Sequence, residues 1–265
     1  MPDHAIYTHG HHESVLRSHT WRTVENSAAY LASHLAPGLR VLDIGCGPGT
    51  ITADLARRVA PGETIGIDAA AGVVEIAARD NGNTTATFET GDVMALRFAD
   101  ASFDVVHAHQ VLQHLADPVA ALVEMRRVCQ PGGLVAARDS DYASLAWYPA
   151  NPGLDRWLAT YEAVSRANGG EPDAGRHLAA WARRAGFNEV HCSASAWCFT
   201  EPHDREWWGE LWAERITESP LAERALELGL AERADLSQMA AAWRRWLADP
   251  DGWFAVLHAE VLCRP

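Results

Sequence analysis

The chain has 265 residues and a formal net charge of −13, from 22 basic against 35 acidic residues. That balance, without any Lys/Arg run, argues against an extended nucleic-acid footprint and against anionic membranes. With 48% hydrophobic and 22% charged residues, the composition is that of a soluble globular protein, long enough for one large α/β domain with a cap, and no apolar run reaches a membrane span.

Residues 1–39 precede the core as an arm and a lid. Tyr7-Thr8-His9-Gly10-His11-His12 opens it. No carboxylate or cysteine spacing completes a metal site around these histidines, so no metal is expected. The arm reads as a polar tail or as a lid that folds over a ligand, with Tyr7 and His11 as its chemistry-bearing residues. Residues 13–35 read as a helix with Val15, Leu16, Val24, Tyr30, Leu31 and Leu35 as its apolar contacts. Residues 1–30 lack a signal-peptide core, and the five cysteines are scattered without a C-x-x-C pair. Both features fit a cytoplasmic protein. Cys192 and Cys198 read as small buried residues.

Residues 40–44 are short, apolar and β-branched, as a strand buried on both faces requires. Gly45, Gly47 and Gly49 follow, then Ile51, Leu55 and Val59 on one helical stripe. This is a strand, a tight turn and a helix whose first amides point at whatever occupies the loop. Thr50 stands where the G-x-G-x-x-G/A dinucleotide fingerprint needs a small apolar residue. A second strand at 64–68 ends in Asp68, close to the spacing of about 20 residues that puts an acid on a ribose. Helix 69–79, strand 84–89 with Gly91-Asp92-Val93 behind it, strand 103–109, helix 118–129 and strand 134–139 continue the alternation. The result is a doubly wound, mostly parallel sheet covered on both faces.

The pattern then changes. Residues 154–168 and 175–185 read as helices. Residues 190–198 alternate apolar and polar, the mark of an antiparallel edge. Trp253, Ala255, Leu257, Ala259 and Val261 share one parity and read as a last strand. Residues 201–251 interrupt this expected hairpin with helices. Trp208, Leu211, Trp212 and Ile216 form one stripe, Ser219-Pro220 starts another helix, and Leu236, Met239, Ala240, Trp243 and Leu247 form a further stripe behind an Asp235/Gln238 capping box. The division expected is arm and lid 1–39, α/β core 40–200, helical cap 201–251 and last core strand 252–265.

The stretches VLDIGCGPGT, GIDAA, TGDVMALRF, FDVVHAHQVLQHLADP and RVCQPGGL resemble, in order and spacing, the motifs of class I S-adenosylmethionine-dependent methyltransferases. The resemblance is closest to the ubiquinone and menaquinone biosynthesis type and its small-molecule relatives. It implies a Rossmann-like seven-stranded sheet with an antiparallel C-terminal strand, an N-terminal helical lid and a helical insertion before the last strand. It also implies S-adenosylmethionine as cofactor. Ala108-His109-Gln110 replaces the Asn/Asp-Pro-Pro-Tyr of enzymes that methylate amino groups on nucleic acid or protein.

The resemblance further implies roles. Asp43 holds the amino-acid end of the cofactor, by a water or through the loop backbone, and Gly45 and Gly47 allow close approach. Asp68 accepts from the ribose hydroxyls, Asp92 from the adenine amine, and Val93 offers a backbone N–H. His109 and Gln110 flank the sulfonium, and Cys46, Ala69 and Gly91 complete the cofactor set. Candidates for a base are His114, Asp141 and Tyr7. Tyr142, His11, Trp147, Trp208 and Trp212 are candidates for the acceptor pocket, which so many cap tryptophans make flat and apolar, suited to an aromatic or heterocyclic metabolite. The acceptor atom (carbon, nitrogen or oxygen) stays open. So do a homodimer through the cap, an NAD-dependent oxidoreductase, and a non-catalytic S-adenosylmethionine-binding protein.

Overall fold

The computed structural model describes residues 13–265. Tyr7, His9, His11 and His12 lie outside the described residues. The elements in order are α1 Glu13–Thr20, α2 Val24–Ser27, α3 Ala29–Ala32, β1 Val41–Ile44, α4 Thr50–Val59, β2 Thr64–Asp68, α5 Ala71–Asp80 and β3 Ala86–Thr90. Then come β4 Phe103–His109, α6 Pro118–Val128, β5 Cys129–Ser140, β6 Ala146–Tyr148, α7 Pro152–Ala167, α8 Ala174–Arg184 and β7 Glu189–Phe199. Three cap helices, α9 Pro202–Glu218, α10 Pro220–Glu227 and α11 Arg233–Ala248, lead to β8 Trp253–Arg264.

The sheet runs β3-β2-β1-β4-β5-β8-β6, with β7 also on β8. Strands β1 to β5 pair in parallel. One flank of β8 is shared: residues 258–263 pair antiparallel with β5 and residues 253–255 with β6. Its other flank carries β7 from Phe199↔Phe254 to Glu189↔Arg264. The described residues thus form eight strands, one more than the expected seven; the addition is the three-residue β6.

Three local expectations need correction. Residues 13–35 are not one helix. Thr23 accepts from the Asn26 N–H while the Asn26 side chain accepts from the Thr23 N–H, and this capping box restarts the chain as α2. The break leaves Trp21 and Arg22 in a turn, free to face the sheet. At α11 the box is formed by Glu232 and Asp235, one turn earlier than Asp235 and Gln238. Cys192 and Cys198 are also exposed, not buried, because β7 is an edge strand whose residues 191–196 stand clear of the core.

Three apolar cores result. One packs the sheet against α6 and α8 around Leu42, Val106, Leu122 and Leu178. A second lies on the opposite face, where Val24 and Leu31 of the N-terminal helices meet Leu55 and Val41. The third joins the cap to the outer strands through Trp157, Trp212, Trp243, Trp246 and Phe254. These rings meet edge to face: Trp157 lies 4.6 Å from Trp212 and 4.8 Å from Trp243, centroid to centroid.

Candidate functional site

The carboxyl ends of β1, β2, β3 and β4 open on one cleft of about 250 Å3. Every residue assigned to the cofactor from the sequence lines it: Asp43, Gly45, Cys46, Gly47, Asp68, Ala69, Gly91, Asp92, Val93, His109 and Gln110. Parallel strands place their ends together, which is why residues far apart in sequence share one wall.

The glycine turn follows its φ angles. Gly45 sits at φ 66°, and a Cβ there would stand 2.4 Å from Val111 Cγ2. Gly47, at φ 53°, would meet only His19 Nδ1 at 3.6 Å, so its open side faces the cleft. Asp68 fastens this turn to the end of β2: its carboxylate accepts from the Gly47 N–H at 3.0 Å and the Ala70 N–H at 3.0 Å. A carboxylate has about four acceptor positions, so capacity remains. Asp92 caps a short turn by accepting from the Met94 N–H at 2.9 Å and is otherwise exposed to the cleft.

Asp43 is different. It is 3% exposed, accepts from Thr52 Oγ1 at 2.5 Å, and lies 2.7 Å from His107 Nδ1. Its carboxylate therefore braces β1 against α4 and β4.

At the inner end Gln110 adopts φ 54°, rare outside glycine. Its N–H donates to the Arg138 carbonyl at 2.7 Å. Its side-chain oxygen accepts from Arg22 at 2.6 Å, and its Nε2 lies 2.8 Å from His258 Nε2. His258 Nδ1 is 3.1 Å from the Val256 carbonyl, so that nitrogen carries the proton and Nε2 accepts from Gln110. Burial, with Arg138 and Arg22 nearby, holds His258 well below the usual imidazole range, which keeps it a neutral acceptor. Neither Arg22 nor His258 carries a motif, and sequence reasoning missed both; Arg22 arrives through the break between α1 and α2 and His258 through the late strand. His109 is 5% exposed, and burial first, then Arg22 and Arg138, keep it neutral as well.

His114 also lines the cleft. Ser140 donates to Gln113 Oε1 at 2.6 Å, and Gln113 Nε2 lies 3.0 Å from His114 Nε2. The amide thus donates to that ring nitrogen, leaving the proton on Nδ1. Burial, aided by Arg22, pushes the His114 pKa down to about 3. Burial thus keeps the ring neutral, with Nε2 engaged by Gln113.

Asp141 lines neither this cleft nor the smaller cavity beside it. It accepts from Arg176 Nε at 2.7 Å, the Arg176 N–H at 3.1 Å and Ser144 at 2.7 Å. Burial alone would raise its pKa, but Arg176 and Ser144 outweigh it and hold the group low. It locks β5 to α8, and the expectation of a base is corrected. Trp147 likewise lines neither cavity; it stacks on Phe254 at 5.7 Å and packs against the cap core. Tyr142, Trp208 and Trp212 do come together, in the smaller cavity, which shares His19, Arg22 and Gln110 with the main cleft. Tyr7 and His11 fall outside the described residues.

A family model described as a methyltransferase domain matches residues 42–137. An uncharacterized methyltransferase of Schizosaccharomyces pombe is 34% identical over 98% of this chain and 96% of its own length. A probable methyltransferase of Aspergillus luteorubrus is 31% identical over 97% of this chain and 96% of its own. Among solved structures, the phosphoethanolamine N-methyltransferase 2 of Haemonchus contortus, in complex with phosphomonomethylethanolamine and S-adenosylhomocysteine, superposes with a TM-score of 0.56 at 19% identity, over 91% of this chain and 53% of that one. That likeness is one of fold.

Proposed function

The chain belongs to the class I S-adenosylmethionine-dependent methyltransferases, and on that premise we propose that it methylates a small, planar aromatic or heterocyclic metabolite. The cofactor is S-adenosylmethionine, and the cleft fits it. In this reading the carboxylates of Asp68 and Asp92 offer acceptors to hydroxyls and an amine, the left-handed glycine turn leaves its backbone uncovered, and Val73, Val93 and Leu115 supply an apolar wall. When bound, the cofactor supplies an electrophilic methyl group on a cationic sulfur. The nicotinamide alternative gives way to the family.

In this reading Asp68 and Asp92 hold the adenosine portion, and the turn at Gly45 and Gly47, braced by Asp43, holds the amino-acid portion. Gln110, clamped between Arg22 and His258, stands at the border between cofactor and acceptor. Rate comes chiefly from holding the acceptor in line with the methyl. The observation that carries the proposal is the adjacency of the two cavities: the aromatic one, walled by Tyr142, Trp157, Trp208 and Trp212, meets the acid-lined cleft at Gln110.

The test is calorimetry with S-adenosylhomocysteine on wild type and on Asp68→Ala. A charged hydrogen bond contributes about 1.5–3 kcal/mol. The variant should therefore bind roughly tenfold to a hundredfold more weakly, with the fold retained by circular dichroism. Saturable NAD binding with none for S-adenosylhomocysteine would overturn the proposal; equal affinities would remove Asp68 from the site.

A further inference from the structure

The smaller cavity has about 20 Å3 of room, enough for a group the size of one water. Half of the described residues that line it carry rings, four of them indoles. Arg22 and Arg215 bring guanidinium groups, each also over an indole: Arg22 at 5.6 Å from the Trp197 centroid and Arg215 at 4.5 Å from that of Trp212. Arg215 also donates to Ser18 Oγ at 3.0 Å. Trp157 and Trp208 are 0% and 6% exposed, and the Nε1–H of each is buried with no acceptor among the described residues. No Asp or Glu is among the described residues that line the cavity. Two of the neutral acceptors on its lining, Gln110 Oε1 and Ser18 Oγ, already receive Arg22 and Arg215.

These observations point to the chemistry of an occupant. A buried N–H without an acceptor is a standing destabilisation that an arriving oxygen relieves. Two guanidinium groups repel a cation and attract an anion, more strongly here than in water because the rings exclude solvent. The field reaches Tyr142, whose hydroxyl is raised by burial and drawn back by Tyr161, Arg215 and Arg22. An amine in this cavity would meet like charge, and a hydrocarbon would leave both indole N–H groups unmet.

We propose that the smaller cavity receives an anionic oxygen of the acceptor, a carboxylate or phenolate on a flat aromatic ring, with the ring against the indoles and the methylated atom facing the cleft at Gln110. This deepens the methyltransferase reading and rests on it. The acceptor class is then an aromatic acid or acidic phenol, preferred over its neutral counterpart, and the two guanidinium groups repel cationic aromatics.

The experiment loads the full chain with S-adenosylhomocysteine and titrates benzoate, salicylate and 2-naphthoate, each beside its neutral carboxamide, with benzylammonium as the cation, at fixed ionic strength. Tryptophan fluorescence and calorimetry report binding. At least one acid should bind tenfold or more tightly than its amide, and benzylammonium should not bind. Arg215→Met should remove that preference while S-adenosylhomocysteine affinity stays within threefold. Trp208→Phe, which keeps the ring and drops the N–H, should reduce it severalfold. The proposal is overturned if amide or amine binds as well as the acid, if no acid binds, or if the preference survives in Arg215→Met. Failure of S-adenosylhomocysteine to bind wild type would overturn the methyltransferase reading as well, so the two failures are distinguishable.

Discussion

Asp139 is the residue whose chemistry is least at ease in this fold. It lies fully buried on β5, where Oδ1 accepts from the Gln113 N–H at 3.2 Å, and burial pushes its pKa up to about 7. An unfolded aspartate titrates near 3.9. The native state thus holds the proton more tightly, and as pH rises from about 4 through about 7 Asp139 withdraws stability. Asp139→Asn keeps the acceptor oxygen and removes the charge. The difference in melting temperature, variant minus wild type, should grow from pH 5 to pH 8. The gain at pH 8 is bounded by about 4 kcal/mol, from about three pKa units at 1.36 kcal/mol each. Parallel curves for the two proteins would mean that Asp139 is not the titrating group. His114 works in the opposite sense: with its pKa at about 3 in the fold, it contributes stability above the unfolded value near 6.5 and loses it in acid. The variant-minus-wild-type difference isolates Asp139 from it.

At the scale of elements, the N-terminal helices and the cap meet over the cleft. Arg17 pairs with Glu214 of α9, Arg215 of α9 reaches Ser18, and Trp21 packs on Trp197, Phe199 and Trp207 at 5.2, 5.9 and 5.3 Å. Arg22, half-exposed in the turn between α1 and α2, projects from this seam onto Gln110. Arg22→Ala should lower kcat/KM by about tenfold or more, the value of one charge-assisted hydrogen bond, with little change in melting temperature. Steady-state kinetics beside a thermal scan checks it; a large thermal loss with unchanged kinetics would make Arg22 structural. The glycine turn and the acids after β2 and β3 were legible in the sequence because their work is local: each sits at a strand end, and the strand order brings the ends together. Arg22 and His258 were not, since only tertiary packing carries them to Gln110. Asp141 misled for the same reason, for Arg176 on a later helix turns its carboxylate away. The thirteen-to-thirty-five stretch misled because Thr23 and Asn26 cap each other more strongly than the apolar spacing holds one helix together.

At the scale of the whole molecule the cap has a core of its own, and its tryptophans divide between packing and pocket. Trp243 is 0% exposed and touches Trp157, Trp212, Trp246 and Phe254. Trp243→Ala should cost about 3–5 kcal/mol, or roughly 6–20 °C in melting temperature for a chain of this size. Calorimetric unfolding measures it, and a shift under about 2 °C would contradict the packing. Strand β8 joins this core, through Phe254 and Val256, to the one between the sheet, α6 and α8, through Val261 and Cys263. Its neighbour on one side is β5, and the Arg138–Glu260 contact between them spans 122 residues of chain. Closing so long a loop is slow, and the strands from β1 to β5 need no part of it to pair among themselves. Assembly should therefore run in two stages, a nucleotide-sized cleft first and its aromatic neighbour afterwards. The seam between β5 and β8 should also be where the native protein breathes: in hydrogen exchange, the cap and β6 to β8 would open together while β1 to β5 stay protected. Such an opening would release a bound acceptor and leave the cofactor seated.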